Sequence, residues 1–287
     1  MRGGAFRRVA CGRAHSRSPA GTLGGMPSRS ERPVSQRDLP ATQGGPSEEQ
    51  GRPRGLLEVI ALGPADATAA QAGGADRLEI VADMANDGLS PDPATVASIR
   101  RATDLPIRVM LRAEAGFVTS TGELQRLARL ADHLIGAGTD GFVFGFLSPS
   151  AEIDVDATTY LADCDAVTGR AWTFHRAVDN AFQYGHAWRD IVGLPGLDTV
   201  LTAGSARGMG HGFDDLLATV QRDPSLAPLV MPGGGLQAEH VPWLARAGVR
   251  KFHIGSGARP QGSWKAYVDA GFVRSWRTLI DSAVSRA

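Results

Sequence analysis

From Leu56 onward the chain alternates between two hydrophobic patterns. Short runs rich in Val, Ile, Leu and Phe are each followed by a longer stretch whose apolar residues recur at helical spacing. This is the rhythm of βα units around a parallel sheet. The runs predict strands over 56–62, 77–81, 107–112, 141–147, 171–176, 199–203, 229–232 and 251–255. The longer stretches predict helices over 65–72, 93–102, 122–137, 156–167, 184–192, 212–222, 237–247 and 264–285. Glycines after Ala72, Ala137 and Ala247 stand where a helix ends in a left-handed residue. Eight strands, each followed by a helix, predict an α/β fold, the (β/α)8 TIM barrel, which typically fills about 250 residues as a single domain. A doubly wound open sheet would carry a G-x-G-x-x-G turn after its first strand, and none follows Leu62.

Composition changes the picture only at the N-terminus. Residues 1–54 are dense in Gly, Ser and Pro and carry ten arginines against Glu31, Asp38, Glu48 and Glu49. Such a segment buries too little apolar surface to offset the entropy of ordering it, so it is expected to be a disordered tail, with residues 55–287 as the barrel. Met26 is an available internal start within it. The chain has no apolar run of membrane-spanning length and no secretory h-region, so a cytoplasmic protein without a membrane partner is expected. Thirty basic and thirty acidic residues give a formal net charge of +0, which argues against a nucleic-acid partner. The only cysteines, Cys11 and Cys164, form neither a disulfide framework nor a zinc spacing. Cys164 falls in a predicted helix.

In a barrel of this kind the reactive groups stand at the C-terminal ends of the strands, so polar residues there are informative. Glu58 in LLEVIAL and Glu79 in DRLEIVA interrupt runs that should be buried. A carboxylate so placed is costly unless paired or bound to a cation. Arg112 or Arg176 are candidate partners, in which case the two are structural. The fifth strand runs into His175, Arg176 and Asp179, the densest chemical cluster in the chain and the candidate catalytic group: an imidazole for proton transfer, a guanidinium for holding an oxyanion, and a carboxylate.

The last two strands finish in Gly-rich turns, Gly233-Gly234-Gly235 and Gly255-Ser256-Gly257. Glycine permits close backbone approach, and barrels often hold phosphate in these two loops, so these six residues with Arg112 are the candidate ligand-binding set for a small anion. Tight turns alone also require glycine. The two lysines, Lys251 at the entry of strand eight and Lys265 on the predicted last helix, stand away from C-terminal strand ends, which disfavours a Schiff-base aldolase. No G-x-S-x-G elbow offers a hydrolytic nucleophile.

The blocks GGADRLEI, GLSPDPA, VMLR, GFVFGFL, TFHRAVD, VLTAGS, VMPGGGL and KFHIGSG resemble, in order and spacing, those of the CutC copper homeostasis family. The resemblance spans nearly all of residues 56–280 and implies a TIM-like barrel, a cytoplasmic role in copper handling and copper as the ion bound. Some members are proposed to hold Cu(I) through cysteines near the ends of the first two strands. Here the matching positions are Ile60 or Ala61 and Val81, so that thiolate site is absent. After strand three this chain reads LRAEAGFVTSTGE, retaining Arg112, Gly116 and Phe117 of the family pattern without its Asp or Tyr. Two hypotheses stand. One is a metal-handling protein using Glu58, Glu79, His175 and His253. The other is an isomerase or lyase acting on a phosphorylated or carboxylated small molecule, with His175 as acid/base, Arg176 as clamp and the Gly loops as anion cradle. A homodimer is the default assembly.

Overall fold

The computed structural model describes residues 54–287. The expected disordered tail lies outside these residues except for Arg54, which packs on the barrel with an ion pair to Asp76 at 3.2 Å. The elements alternate as β1 (Leu56–Ala61), α1 (Pro64–Gly73), β2 (Arg77–Ile80), α2 (Pro93–Arg100), β3 (Ile107–Met110), α3 (Thr121–Gly136), β4 (Gly141–Phe144), α4 (Val155–Ala162), β5 (Trp172–Phe174), α5 (Tyr184–Ile191), β6 (Leu197–Thr202), α6 (Met209–Arg222), β7 (Val230–Pro232), α7 (His240–Arg246), β8 (Lys251–Ile254) and α8 (Ala270–Val284). Every strand pairing is parallel and the order is β7-β6-β5-β4-β3-β2-β1-β8. The result is a (β/α)8 barrel, hydrogen-bonded all round except at the β7/β8 seam.

Local sequence sets the helix ends. Asp92, Ser120, Asp154 and Asp269 each accept a backbone N–H in the first turn of α2, α3, α4 and α8, satisfying donors that have no helical partner. Pro64 and Pro93 stand in the first turns of α1 and α2, where a missing N–H costs nothing. Three expectations are corrected. Helix α1 runs through Gly73 and is closed by Gly74, with φ 92°, one residue later than expected; a Cβ on Gly73 would collide with Val273 of α8, so that glycine serves close helix packing instead. Cys164 lies just past the C-terminus of α4, half-buried in a turn.

The third correction is that α8 begins at Ala270, which leaves Trp264 and Lys265 in the preceding loop. The buried Asp66 of α1 explains this. It accepts from Arg259 Nη2 at 2.7 Å and from the Val268 amide at 2.9 Å, so the segment is tied to α1 instead of coiling.

The strands divide their side chains between two shells, as the period of two requires. One set, including Leu57, Val59, Leu78, Ile80, Val109, Phe142, Phe144 and Phe174, packs against helix residues such as Ala67, Val96 and Leu127 in the main core. Of the alternate set, Ile60, Val81, Met110 and Val143 form a separate, smaller apolar cluster. Apart from Leu201 and Met231, most of the remaining alternate set is polar. Arg108 makes a two-pronged contact to Asp198, with Nη1 and Nη2 at 2.7 and 2.6 Å from its oxygens, and Nη1 also donates to Thr173 Oγ1 at 2.6 Å. Lys251 Nζ donates to the Asp198 carbonyl and to Thr199 Oγ1. These groups knit the N-terminal end of the barrel.

Candidate functional site

Parallel register brings Glu58 of β1 level with Arg77 of β2 on one side and His253 of β8 on the other. Arg77 Nε donates to Glu58 Oε2 at 2.5 Å, and His253 Nδ1 lies 2.8 Å from Glu58 Oε1. Glu58 is thus engaged on both oxygens, and the arginine beside it is Arg77, not Arg112 or Arg176. The signal was present in the sequence: Arg77 and Glu79 are two residues apart, hence on one face of β2.

Glu79 stands one step further along, level with Ile60, with Oε2 3.6 Å from His253 Nε2. Its other oxygen is buried without a hydrogen-bond partner. Burial outweighs the attraction of His253 and pushes the Glu79 carboxyl up to about 7. Glu58 is held well below the usual carboxylate range, its burial overcome by the Arg77 guanidinium and the His253 hydrogen bond. His253 is raised against its own burial by the Glu58 hydrogen bond and the charge of Glu79. Among the described residues, Glu58, Glu79 and His253 form a group whose ligating atoms lie within 4.8 Å of one another. His175, the fourth residue of the expected metal set, is not part of this group.

Above Glu79 and His253 a pocket of about 560 Å³ opens at the C-terminal face. This is within the usual range for small-molecule sites. Ile60, Val81, Met110, Leu201, Trp264 and Trp276 give it apolar walls. Arg112, Arg176, His175 and Asp87 supply further polar groups around it. His175 follows β5, and its Nδ1 accepts the Ala177 N–H at 3.2 Å. Its Nε2 is buried without a partner. Burial first, then the charges of Arg112 and Arg176, push this imidazole down to about 3.

Arg112 donates from Nε to the Gly116 carbonyl and from Nη1 to those of Asn86 and Gly88, while its guanidinium lies 4.8 Å from the Phe117 ring centroid. It pins the loops after β2 and β3. Arg176 is braced by Asp179 at 2.8 Å and by the Ser205 and Ala206 carbonyls.

Asp179 does not line the pocket, contrary to its place in the expected catalytic group. Its oxygens accept from Thr202 Oγ1 and from the amides of Ala203 and Gly204, which turns it toward the end of β6. The Gly-rich turns do reach the pocket through Gly234, Gly235, Gly255, Ser256 and Gly257, but Gly233 does not. At two of these glycines a side chain would clash with the protein itself. A Cβ on Gly234 would meet Arg176 and one on Gly255 would meet Trp264. The aromatic walls Trp264 and Trp276 were not foreseen; a helical reading of residues 264–269 hid the first.

This is a (β/α)8-barrel protein whose polar centre, an Arg–Glu–His–Glu chain, lies beneath a pocket at the C-terminal mouth. The chain belongs to the CutC family, whose sequence model matches residues 56–258. The CutC family protein of Xanthomonas campestris pv. campestris (strain 8004) is 34% identical over 199 residues, 69% of this chain and 81% of that protein. That of Vibrio cholerae serotype O1 (strain M66-2) is 32% identical over 185 residues, 64% of this chain and 72% of that protein. A crystal structure described as the copper homeostasis protein CutC of Streptococcus agalactiae shares the fold, with TM-score 0.61 and 24% identity, covering 70% of this chain and 98% of that one. Among the described residues no helix is long and apolar enough to cross a membrane.

Proposed function

We propose that the protein serves copper homeostasis, as the description of its Streptococcus agalactiae relative suggests, by holding a divalent ion between Glu79 and His253 at the base of the pocket. The observation that carries this reading is the convergence of Glu58, Glu79 and His253 within 4.8 Å. Glu58 accepts from the Nδ1–H of His253 and so leaves Nε2 as the ligating nitrogen, the usual arrangement of a carboxylate behind a metal-bound histidine. Glu79 offers the oxygen that has no protein partner. Glu79 and His253 as donors do not favour Cu(I), which selects thiolate and thioether ligands. Ile60, Ala61 and Val81 occupy the strand ends, and Cys164 stands in the turn after α4. Imidazole with carboxylate suits Cu(II) or Zn(II). A bound ion would supply Lewis acidity to whatever enters the pocket. A cytoplasmic location and a homodimer belong to the same proposal.

Calorimetric titration with Cu(II), with Zn(II) and, under reducing conditions, with Cu(I) tests it. One divalent ion per chain is expected, weakened at least about tenfold, or 1.4 kcal/mol, by Glu79→Gln and untouched by Cys164→Ser. Tight Cu(I) binding that ignores Glu79→Gln, or no divalent binding at all, would overturn the reading.

A further inference from the structure

The metal reading leaves the opposite side of the pocket unused. We propose that His175 anchors a second ligand there: the carboxylate of a small organic acid with an apolar body, accepting a hydrogen bond from the His175 Nε2–H. The inference is independent of whether an ion binds at Glu79.

The backbone fixes the tautomer. The Ala177 N–H donates to Nδ1, so Nδ1 carries the lone pair and the ring proton of the neutral imidazole stands on Nε2. That Nε2–H is a buried donor with no acceptor, on a residue that lines the pocket and is only 3% exposed. An unsatisfied buried donor is costly in a native protein, and in a pocket wall it marks the place of a ligand acceptor.

Charge chooses the acceptor. Burial first, and then the charges of Arg112 and Arg176, keep the His175 imidazole neutral, and the positive field of the two arginines favours an anionic oxygen at the same point. The acidic lining groups are Glu79 at the floor and Asp87. A carboxylate therefore sits on the arginine side, away from Glu79.

Charge also chooses a carboxylate over a phosphate, because Glu79 and Asp87 in the same lining repel a doubly charged head group more than a singly charged one. Nε and Nη1 of Arg112 and Nε and Nη2 of Arg176 are engaged by Asp179 and by the carbonyls of Asn86, Gly88, Gly116, Ser205 and Ala206, while Arg112 Nη2 and Arg176 Nη1 make no such bond and can add to the hold on an oxyanion. The body of the ligand has Ile60, Met110, Leu201, Trp264 and Trp276 to lie against.

The Phe117 ring meets His175 edge-on, with centroids 5.3 Å apart, on a loop whose neighbours Gly116 and Val118 are exposed. Admitting the carboxylate requires a small outward shift of that ring.

The test uses the full chain labelled with 15N-histidine, in the presence of a chelator so that the outcome is separate from the metal reading. Long-range 1H–15N spectra, with His175 assigned by the signal missing in His175→Phe, are expected to give the Nε2–H tautomer in the free protein. Phenylpyruvate at millimolar concentration is expected to move that proton downfield. By calorimetry, phenylpyruvate should bind the parent at least about tenfold more tightly than His175→Phe, more tightly than phenyl phosphate, and more tightly than neutral phenylacetamide. The Nδ1–H tautomer in the free protein, an unmoved His175 signal, equal affinity for the two proteins, or preference for either analogue would each overturn the proposal. His175 is assigned a second time with His175→Gln, so that the tautomer measurement on the parent does not depend on His175→Phe folding.

Discussion

The two ends of the barrel interior handle buried polar groups in opposite ways. At the N-terminal end Arg108, Asp198, Thr173, Thr199 and Lys251 bond to one another or to backbone. Toward the C-terminal end Glu79 Oε1 and His175 Nε2 are left without partners. Both ends belong to the same eight strands, with the same parallel pairing. Full pairing holds the fold together. Unpaired donors and acceptors beside a cavity cost stability, and the ligand that completes them returns it. Between the two ends Glu58 belongs to both, paired on each oxygen yet directly behind His253.

That division is most severely tested at the junction. Arg77→Met removes the guanidinium from Glu58 while both are nearly inaccessible, with side-chain exposures of 8% and 1%. Breaking a buried pair by deleting one partner typically costs about 3–5 kcal/mol, because the other charge is stranded. Urea unfolding should register a loss of that size, and a loss no greater than that of an average surface substitution would refute the pairing as a structural element.

Arg108→Met should cost less, about 1–3 kcal/mol. Its partner Asp198 has a side chain 41% exposed and can be hydrated once released. The comparison of the two variants by the same unfolding assay would fail if Arg108→Met proved the more damaging.

The smallest effect is expected at Glu79, and it is visible mainly in its pH dependence. Its carboxyl is raised from 4.5 to about 7 in the folded protein. The native state therefore holds a proton that the unfolded chain releases, and stability falls as pH rises across that window. His253, also raised, acts in the same direction as pH passes through its folded pKa. Glu79→Gln should remove part of the slope; below pH 4.5, where the carboxyl is protonated in both states, it should change stability by only about 1 kcal/mol, since the oxygen it replaces makes no hydrogen bond. Identical pH–stability curves for parent and variant would contradict the assignment of an unpaired, proton-holding carboxyl.

Much of this protein was legible in its sequence. Periodicity is a local property, and the alternation of two-residue and helical periods from Leu56 on was enough to determine eight βα units and hence the barrel. Glu58 and Glu79 stood out because each is a carboxylate inside an apolar run, and His175, Arg176 and the Gly-rich turns because they follow predicted strands. The start of α8 was misread although Asp269, which caps it, is a local start signal; the tie of residues 264–269 to Asp66, which keeps them from coiling, crosses from one end of the domain sequence to the other.

What only the tertiary structure decided was pairing. Glu58 meets His253 across 195 residues of sequence, and it does so because β1 lies between β2 and β8 in one fixed register. In a barrel that register selects which inward side chains share a level, and a slip of one residue would turn them to the other face. Composition places carboxylates, arginines and histidines inside the barrel. Strand register decides that Arg77 neutralises Glu58 and that Glu79 is left without a full set of partners. The loop that caps β5 then leaves His175 with a free donor toward the pocket.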